Sequence, residues 1–266
     1  MNGIKAGKVR LQVSRINRMA HTAIRDPYAF SPHFKYIFIF SHMRAYTTLL
    51  AHLLGNSPEI SGYFELHQPY RGTFDFLSMR VRISEGVDYH VRGRYLLDKI
   101  LHNYEISPQV LELERMHMIL MLREPARTLK SLMSREAIQS VEHALDYYLS
   151  RMRYLEHLSI IGKHKLYVDS GDVVKNTSKV LDALVSFLNL KNNLSSNYSV
   201  NKFTGLRGYG DNSIYIKQGQ VIKEGNPINE IDIPRDILLQ AEENYLRTRQ
   251  ILMKNCLTIE KMESSS

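Results

Sequence analysis

Arg44, Thr47 and Thr48 put a guanidinium and two hydroxyls within one short stretch, Met43-Arg44-Ala45-Tyr46-Thr47-Thr48-Leu49-Leu50. A fixed cation and two hydroxyl donors that converge in this way suit an anion, above all a phosphate. The flanking residues supply the scaffold such a grip needs. Residues 36–40 are the continuous β-branched and aromatic run Tyr-Ile-Phe-Ile-Phe, the pattern of a strand buried on both faces. Residues 47–55 read as a helix that opens on hydroxyl residues and closes at Gly55. A buried strand running through a short loop into a helix aims free backbone N–H groups and the positive end of the helix dipole at one point. The loop lacks the glycines and lysine of G-x-x-x-x-G-K-[ST], so ATP or GTP hydrolysis is disfavoured. A second apolar strand, 116–122, ends in Arg123 where a nucleotide triphosphatase would place a magnesium-binding aspartate.

The elements around these residues alternate. Residues 116–122 read as strand, 123–125 as a turn and 126–133 as helix; 138–161 form a long helix, 165–168 a short strand, 177–188 a helix and 232–253 a final helix. This order predicts an α/β protein with a central, mainly parallel sheet flanked by helices, a P-loop-like three-layer sandwich. One domain is expected over 1–266, with 1–33 a basic N-terminal extension and 257–266 a flexible tail.

The chain carries 35 Lys and Arg against 27 Asp and Glu, a formal charge of +8. Six of those positive charges, Lys5, Lys8, Arg10, Arg15, Arg18 and Arg25, lie in the first 25 residues, which hold no acidic residue. There Val9, Val13, Ile16, Ala20 and Ala23 recur at the period of one helix face, so a basic amphipathic helix is expected. Docking on its own domain is the plain expectation for it; contact with a membrane surface through residues 1–25 is the other. The single cysteine, Cys256, excludes an intramolecular disulfide and a cysteine-based zinc cage. The apolar runs fall far short of the roughly 18–20 residues of a membrane span, so a cytoplasmic protein is expected.

The first loop resembles the signature P-[RK]-S-G-T-[TS]-x-L of sulfotransferases that use 3′-phosphoadenosine-5′-phosphosulfate (PAPS). The basic residue and both threonines match, while Met43, Ala45 and Tyr46 stand where that family has Pro, Ser and Gly. Glycine lets a backbone approach phosphate closely, which makes Tyr46 the main departure. The family's second signature, a strand ending in R-[DN]-P with a serine eight residues after the arginine, is matched by Arg123-Glu124-Pro125 and Ser131. Residues 166–169, Leu-Tyr-Val-Asp, are similar to its Y-E-D strand, and 205–211, Gly-Leu-Arg-Gly-Tyr-Gly-Asp, to its cover loop. The resemblance spans roughly 36–220. It implies that Arg44, Ala45, Tyr46, Thr47 and Thr48 grip the 5′-phosphosulfate and that Arg123 and Ser131 hold the 3′-phosphate. It further implies an adenine contact by Tyr167 and extra phosphate contacts by Arg207 or Gly208.

On that reading PAPS is the donor, 3′-phosphoadenosine-5′-phosphate (PAP) the product, and no metal is required. A sulfonate would pass in line to a hydroxyl, or secondarily an amine, of a small molecule, glycan or lipid; nucleic acid is not the expected partner. Such a transfer needs a base, charge stabilisation and alignment. Arg44 and the start of the 47–55 helix supply the second. Glu65 is the first choice of base, because the family's carboxylate bases follow a similar Pro-containing turn. His102 is the second, in 97–103, where cytosolic members carry Lys-Thr-His; here Lys99 is separated from it by two residues. His67 is placed to orient Glu65 or replace it. Two other readings stay open: a degenerate protein of the same fold that binds an anionic ligand without catalysis, and a nucleotide- or nucleic-acid-binding protein.

Overall fold

The structure, a computed structural model, describes residues 2–134, 138, 140–223 and 231–264, with side chains from Ser14 onward. Its centre is a five-stranded sheet of β1 (Lys35–Phe40), β2 (Ile60–Ser61), β3 (Tyr95–Ile100), β4 (Met116–Leu122) and β5 (His164–Asp169), in the order β2-β3-β1-β4-β5. Every pairing is parallel. Alternate side chains of β1 enter opposite cores. Tyr36, Phe38 and Phe40 face one with α3 (Thr73–Gly86), α5 (Pro125–Met133), α6 (Val141–Ile160) and α9 (Arg235–Asn255). Ile37 and Ile39 face the other with α2 (Thr47–Gly55), α7 (Asp172–Lys175), α8 (Thr177–Leu188) and α10 (Ile259–Glu263). The three-layer α/β sandwich expected from the alternation is therefore present. Each fully buried Leu or Ile in those layers contributes about 1.5–3 kcal/mol of transfer free energy.

Strand order places the site. The chain leaves β1 for β2 and β3 on one side and then crosses to β4 on the other, so the carboxyl ends of β3, β1 and β4 open onto a topological switch point. There Phe40 lies in register with Ile100 and with Leu120. Residues 41–46, 101–102 and 123 leave the sheet from these three ends.

Several elements differ from the sequence-based expectation. β3 and the short β2 are additional strands. β3 breaks the apolar pattern because it carries Asp98 and Lys99, each 1% exposed. Residues 68–90, to which the sequence pattern assigns no element, contain α3. Residues 257–264, expected as part of a tail, lie against the domain: Leu257 bridges to Leu166 of β5, Thr258 caps α10, and Lys179 pairs with Glu263; residues 265–266 lie outside the described ones.

α1 (Asn2–Arg25) is helical and docked, yet not through its small apolar stripe. Ile16, Ala20 and Ala23 are exposed, and the side chains of Val9 and Val13 lie outside the described residues. Polar contacts hold it instead. Arg18 pairs with Glu85, and the Arg25 guanidinium lies 4.7 Å from the centre of the Tyr89 ring. Beyond the helix, Asp26 accepts from the Ser84 hydroxyl at 2.6 Å and from the Val91 amide at 3.0 Å. Polar partners on the domain outweigh a stripe made of one isoleucine and two alanines, whose burial would return little.

Candidate active site

A cavity of about 250 Å³ opens at the switch point. One wall is the β1–α2 loop with Arg123; the other is Glu65, His67 and His102, and residues 208–211 pass over both.

The cationic wall is tightly tied. The Arg44 Nε donates to Ser131 Oγ at 2.8 Å, and the Arg123 guanidinium donates to the Arg44 carbonyl at 2.6 Å and to the Tyr46 hydroxyl at 3.3 Å. The two motifs, assigned from sequence to opposite ends of a nucleotide, thus touch one another directly. Arg44 and Tyr46 both adopt left-handed backbone, with φ of 68° and 56°. Neither is glycine, so the loop carries strain at two positions. Tyr46 is retained by its ring, which lies 4.6 Å beneath the Arg123 guanidinium, as well as by its hydroxyl. The Tyr46 side chain does not cap α2, and among the described residues the amides of its first turn keep their donors for another acceptor. Thr47 and Thr48 are both buried there. The Thr48 Oγ1 accepts from Lys99 Nζ at 3.1 Å and from the Asp211 amide at 3.0 Å, which leaves its own proton to donate.

Lys99 stands behind this threonine rather than in the cavity wall. Burial pulls its ammonium below the usual lysine value, against the opposing pull of Glu65, Asp98 and Asp211. Asp211 in turn lies 3.6 Å from Arg44. Gly210 makes the closure over Lys99 feasible: its φ is +131°, and a Cβ would come within 2.6 Å of both Lys99 Nζ and Thr48 Oγ1.

The other wall is built differently. Glu65 is 3% exposed, and among the described residues its Oε1 has no hydrogen-bond partner. His67 Nδ1 lies 3.3 Å and His102 Nε2 3.6 Å from that oxygen. His67 is oriented by a 2.7 Å contact from Nε2 to the Gly208 carbonyl. Burial lowers the pKa of the His102 imidazole, which favours its neutral, basic form, while Glu65 pulls the other way. The chain next to Glu65 is fixed from below. Asp98 accepts from the Leu66 amide at 2.9 Å and from the Tyr70 hydroxyl at 2.6 Å, and burial pushes its pKa up to about 6.

Four residues that the motifs did not indicate hold the two walls in place. His42 is wholly buried; its Nδ1 contacts the Met43 carbonyl at 2.8 Å, and its Nε2 accepts from the Arg123 amide at 3.1 Å. That pairing joins the first loop to the end of β4 and requires a neutral ring, and burial pushes its pKa down to about 3. Tyr147 accepts from the Met43 amide and donates to the Leu101 carbonyl, while Tyr148 donates to the Arg123 carbonyl. Arg151, fully buried, donates to the carbonyls of Ser41, Ile100 and His102 and to Asn103 Oδ1. The consecutive tyrosines and the arginine of one apolar helix were the available sequence signal.

Of the residues named from sequence, Arg44, Ala45, Tyr46, Thr47, Thr48, Glu65, His102, Arg123 and Gly208 line the cavity. Ser131 and Lys99 reach it through Arg44 and Thr48. Tyr167 and Arg207 are not brought there. Tyr167 is buried in β5 with its hydroxyl donating to Asp169 Oδ1 at 2.6 Å, and Arg207 is exposed.

No protein-family model matches the sequence, and no curated protein matches it significantly. Solved structures do resemble it. The sulfotransferase domain of the curacin biosynthetic pathway superimposes with a TM-score of 0.56 at 16% identity, covering 84% of this chain and 98% of that one. The sulfotransferase domain of the Synechococcus PCC 7002 olefin synthase gives 0.57 at 18% identity, covering 81% and 97%. The chain has the sulfotransferase fold.

Proposed function

We propose that this chain is a sulfotransferase that moves a sulfonate from PAPS to a hydroxyl acceptor, or secondarily to an amine. The observation that carries the reading is one cavity bounded by two complementary walls: Arg44, Arg123 and the uncapped start of α2 on one side, Glu65 and His102 on the other. The fold it shares with sulfotransferase domains supports the same reading.

In this scheme the anionic donor lies against the cations and first-turn amides. Glu65, or His102 in its neutral form, takes the acceptor's hydroxyl proton. The acceptor oxygen bonds to sulfur as the bond from sulfur to the bridging phosphate oxygen breaks, and its electron pair leaves with PAP. Arg44, the Thr48 proton and the Lys99 charge behind it stabilise the oxygens that gain charge. Lys99 acts as a positioning residue through Thr48, and no step calls for a metal.

Binding is tested by thermal unfolding with PAP and without magnesium, where stabilisation grows as RT ln(1 + [L]/Kd). The reading predicts a concentration-dependent rise; no shift at millimolar PAP overturns it. Transfer is tested with PAPS labelled in the sulfonate over a panel of hydroxyl and amine acceptors. A second reading, a degenerate binder of an anionic ligand, is favoured by one observation: Tyr46 occupies the left-handed position at the loop. PAP binding without transfer to any acceptor would select it. No helix among the described residues is long and apolar enough to cross a membrane.

A further inference from the structure

Glu65 Oε1, His67 Nδ1 and His102 Nε2 form a set of ligand atoms lying within 4.8 Å of one another on one side of the cavity. We infer that they hold a divalent transition-metal ion of the zinc class, with an open coordination position facing the cavity.

The contacts of His67 carry much of the argument. Its Nε2 lies 2.7 Å from the Gly208 carbonyl, an oxygen that can only accept, so Nε2 bears a proton and the neutral ring presents its lone pair at Nδ1. That lone pair points at a buried carboxylate oxygen 3.3 Å away which has no hydrogen-bond partner among the described residues. Two electron-rich atoms face each other where the carboxylate is buried and both rings stay partly open to solvent, so a cation that enters between them, a proton or a metal ion, resolves the conflict. The Tyr104 hydroxyl lies 3.3 Å from the same nitrogen and can hold the ring when no ion is bound.

Both separations from Glu65 fit an ion, and the two ring nitrogens lie within 4.8 Å of each other. Ligands about 2.0–2.2 Å from zinc at tetrahedral angles lie about 3.3–3.5 Å apart. The two measured separations from Glu65 Oε1 are 3.3 and 3.6 Å. Two imidazoles and one carboxylate form an open three-ligand set of the kind zinc accepts, and that leaves a fourth position for water or substrate. The His67 contact to Gly208 is the outer partner that fixes a ligating ring, and Arg151 anchors the His102 backbone at 3.0 Å. Sequence spacing did not reveal the set because Glu65 and His67 come from the loop after β2, while His102 leaves the end of β3.

A bound ion takes the lone pairs that the base needs. Zinc is therefore expected to stop sulfonate transfer and a chelator to restore it, a consequence that rests on the proposed activity. The binding test does not. Wild-type protein without nucleotide is titrated with Co²⁺, expecting one equivalent to give the intense visible bands of low-coordinate cobalt and Zn²⁺ to displace them. His102→Ala, at a partly exposed position, and Glu65→Gln are expected to weaken binding by at least the roughly 10–100-fold that loss of an outer partner costs. His143→Ala, on the exposed start of α6, should bind as wild type. Independently of any variant, Zn²⁺ should protect His67 and His102 of the wild type, but not His143, from diethyl pyrocarbonate, read by mass spectrometry. Absence of the cobalt bands, equal binding by His102→Ala and wild type, or unprotected His67 and His102 would each overturn the proposal, whatever PAP does.

Discussion

The cationic wall and the basic wall of the cavity are held by different means. Arg44, Tyr46 and Arg123 are cross-tied to one another, to Ser131 and, through His42, Tyr147 and Tyr148, to the long helix α6. Glu65, by contrast, is buried with an oxygen that no donor among the described residues satisfies, between two imidazoles supported by the Gly208 carbonyl and by Arg151. One side is an over-determined cradle, and the other keeps free lone pairs. The difference matches a division of labour in which one wall binds an anion and the other accepts a proton or an ion. Saturated hydrogen bonds fix geometry, whereas a base must keep an acceptor open.

Breaking the basic wall should cost most. Glu65→Gln is expected to lower turnover by about 100- to 10,000-fold, the usual worth of a general base, while PAP affinity stays within about twofold. An unchanged rate in that variant, with His102→Ala inactive, would move the base to His102. Breaking the cationic wall comes next. Arg123→Ala removes charge-assisted contacts worth about 1.5–3 kcal/mol each, so PAP affinity by calorimetry should fall at least about tenfold. Gly210→Ala tests whether the covering segment belongs to both walls. With φ at +131° and Lys99 Nζ 2.6 Å from the new Cβ, it should cost about 1–3 kcal/mol of stability in chemical denaturation.

A smaller effect concerns pH. The pKa of His42 is pushed down to about 3 and that of His52 to about 4, chiefly by burial. Both rings stay neutral in the native state while the unfolded chain takes up protons below about pH 6.5. Stability is therefore full above that pH and declines as pH falls toward 4. Asp98, raised to about 6, works in the opposite sense, since it binds its proton earlier in the native state than when unfolded. His117, which burial likewise pushes down to about 4, adds to the two histidines, and three such rings against one carboxyl leave a net loss on acidification. His42→Asn should flatten the decline in urea midpoints measured from pH 7 to 4.5. The smallest effect is expected from Tyr46→Gly. Release of left-handed strain of about 1–2 kcal/mol is offset by loss of a cation–π contact of about 0.5–1 kcal/mol and of the hydroxyl's hydrogen bond, so stability should move by under about 1 kcal/mol.

The contrast between the walls also decided what could be read in advance. The cradle follows contiguous sequence: an apolar strand, a loop with its arginine, and a helix from Thr47 to Gly55 whose bounds agree with the structure, as do those of β4. Local pattern suffices where one short segment builds the feature. β3 was invisible because Asp98 and Lys99 interrupt its apolar run, and only tertiary partners such as Tyr70 and Thr48 make those charges tolerable inside the sheet. His42 and Arg151 were equally hidden, since their work is to satisfy carbonyls and amides whose positions exist only after folding. Glu65 and His102 were reached by resemblance to a family; the distance between them depends on how two loops meet and left no trace in spacing.

The most direct test sets PAP binding against the two walls in parallel by calorimetry without magnesium, using wild type, Arg123→Ala and Glu65→Gln. PAP should bind wild type and Glu65→Gln alike and lose at least about tenfold in Arg123→Ala. Equal loss in both variants, or PAP binding untouched by Arg123→Ala, would contradict the division of the cavity into an anion cradle and a basic wall.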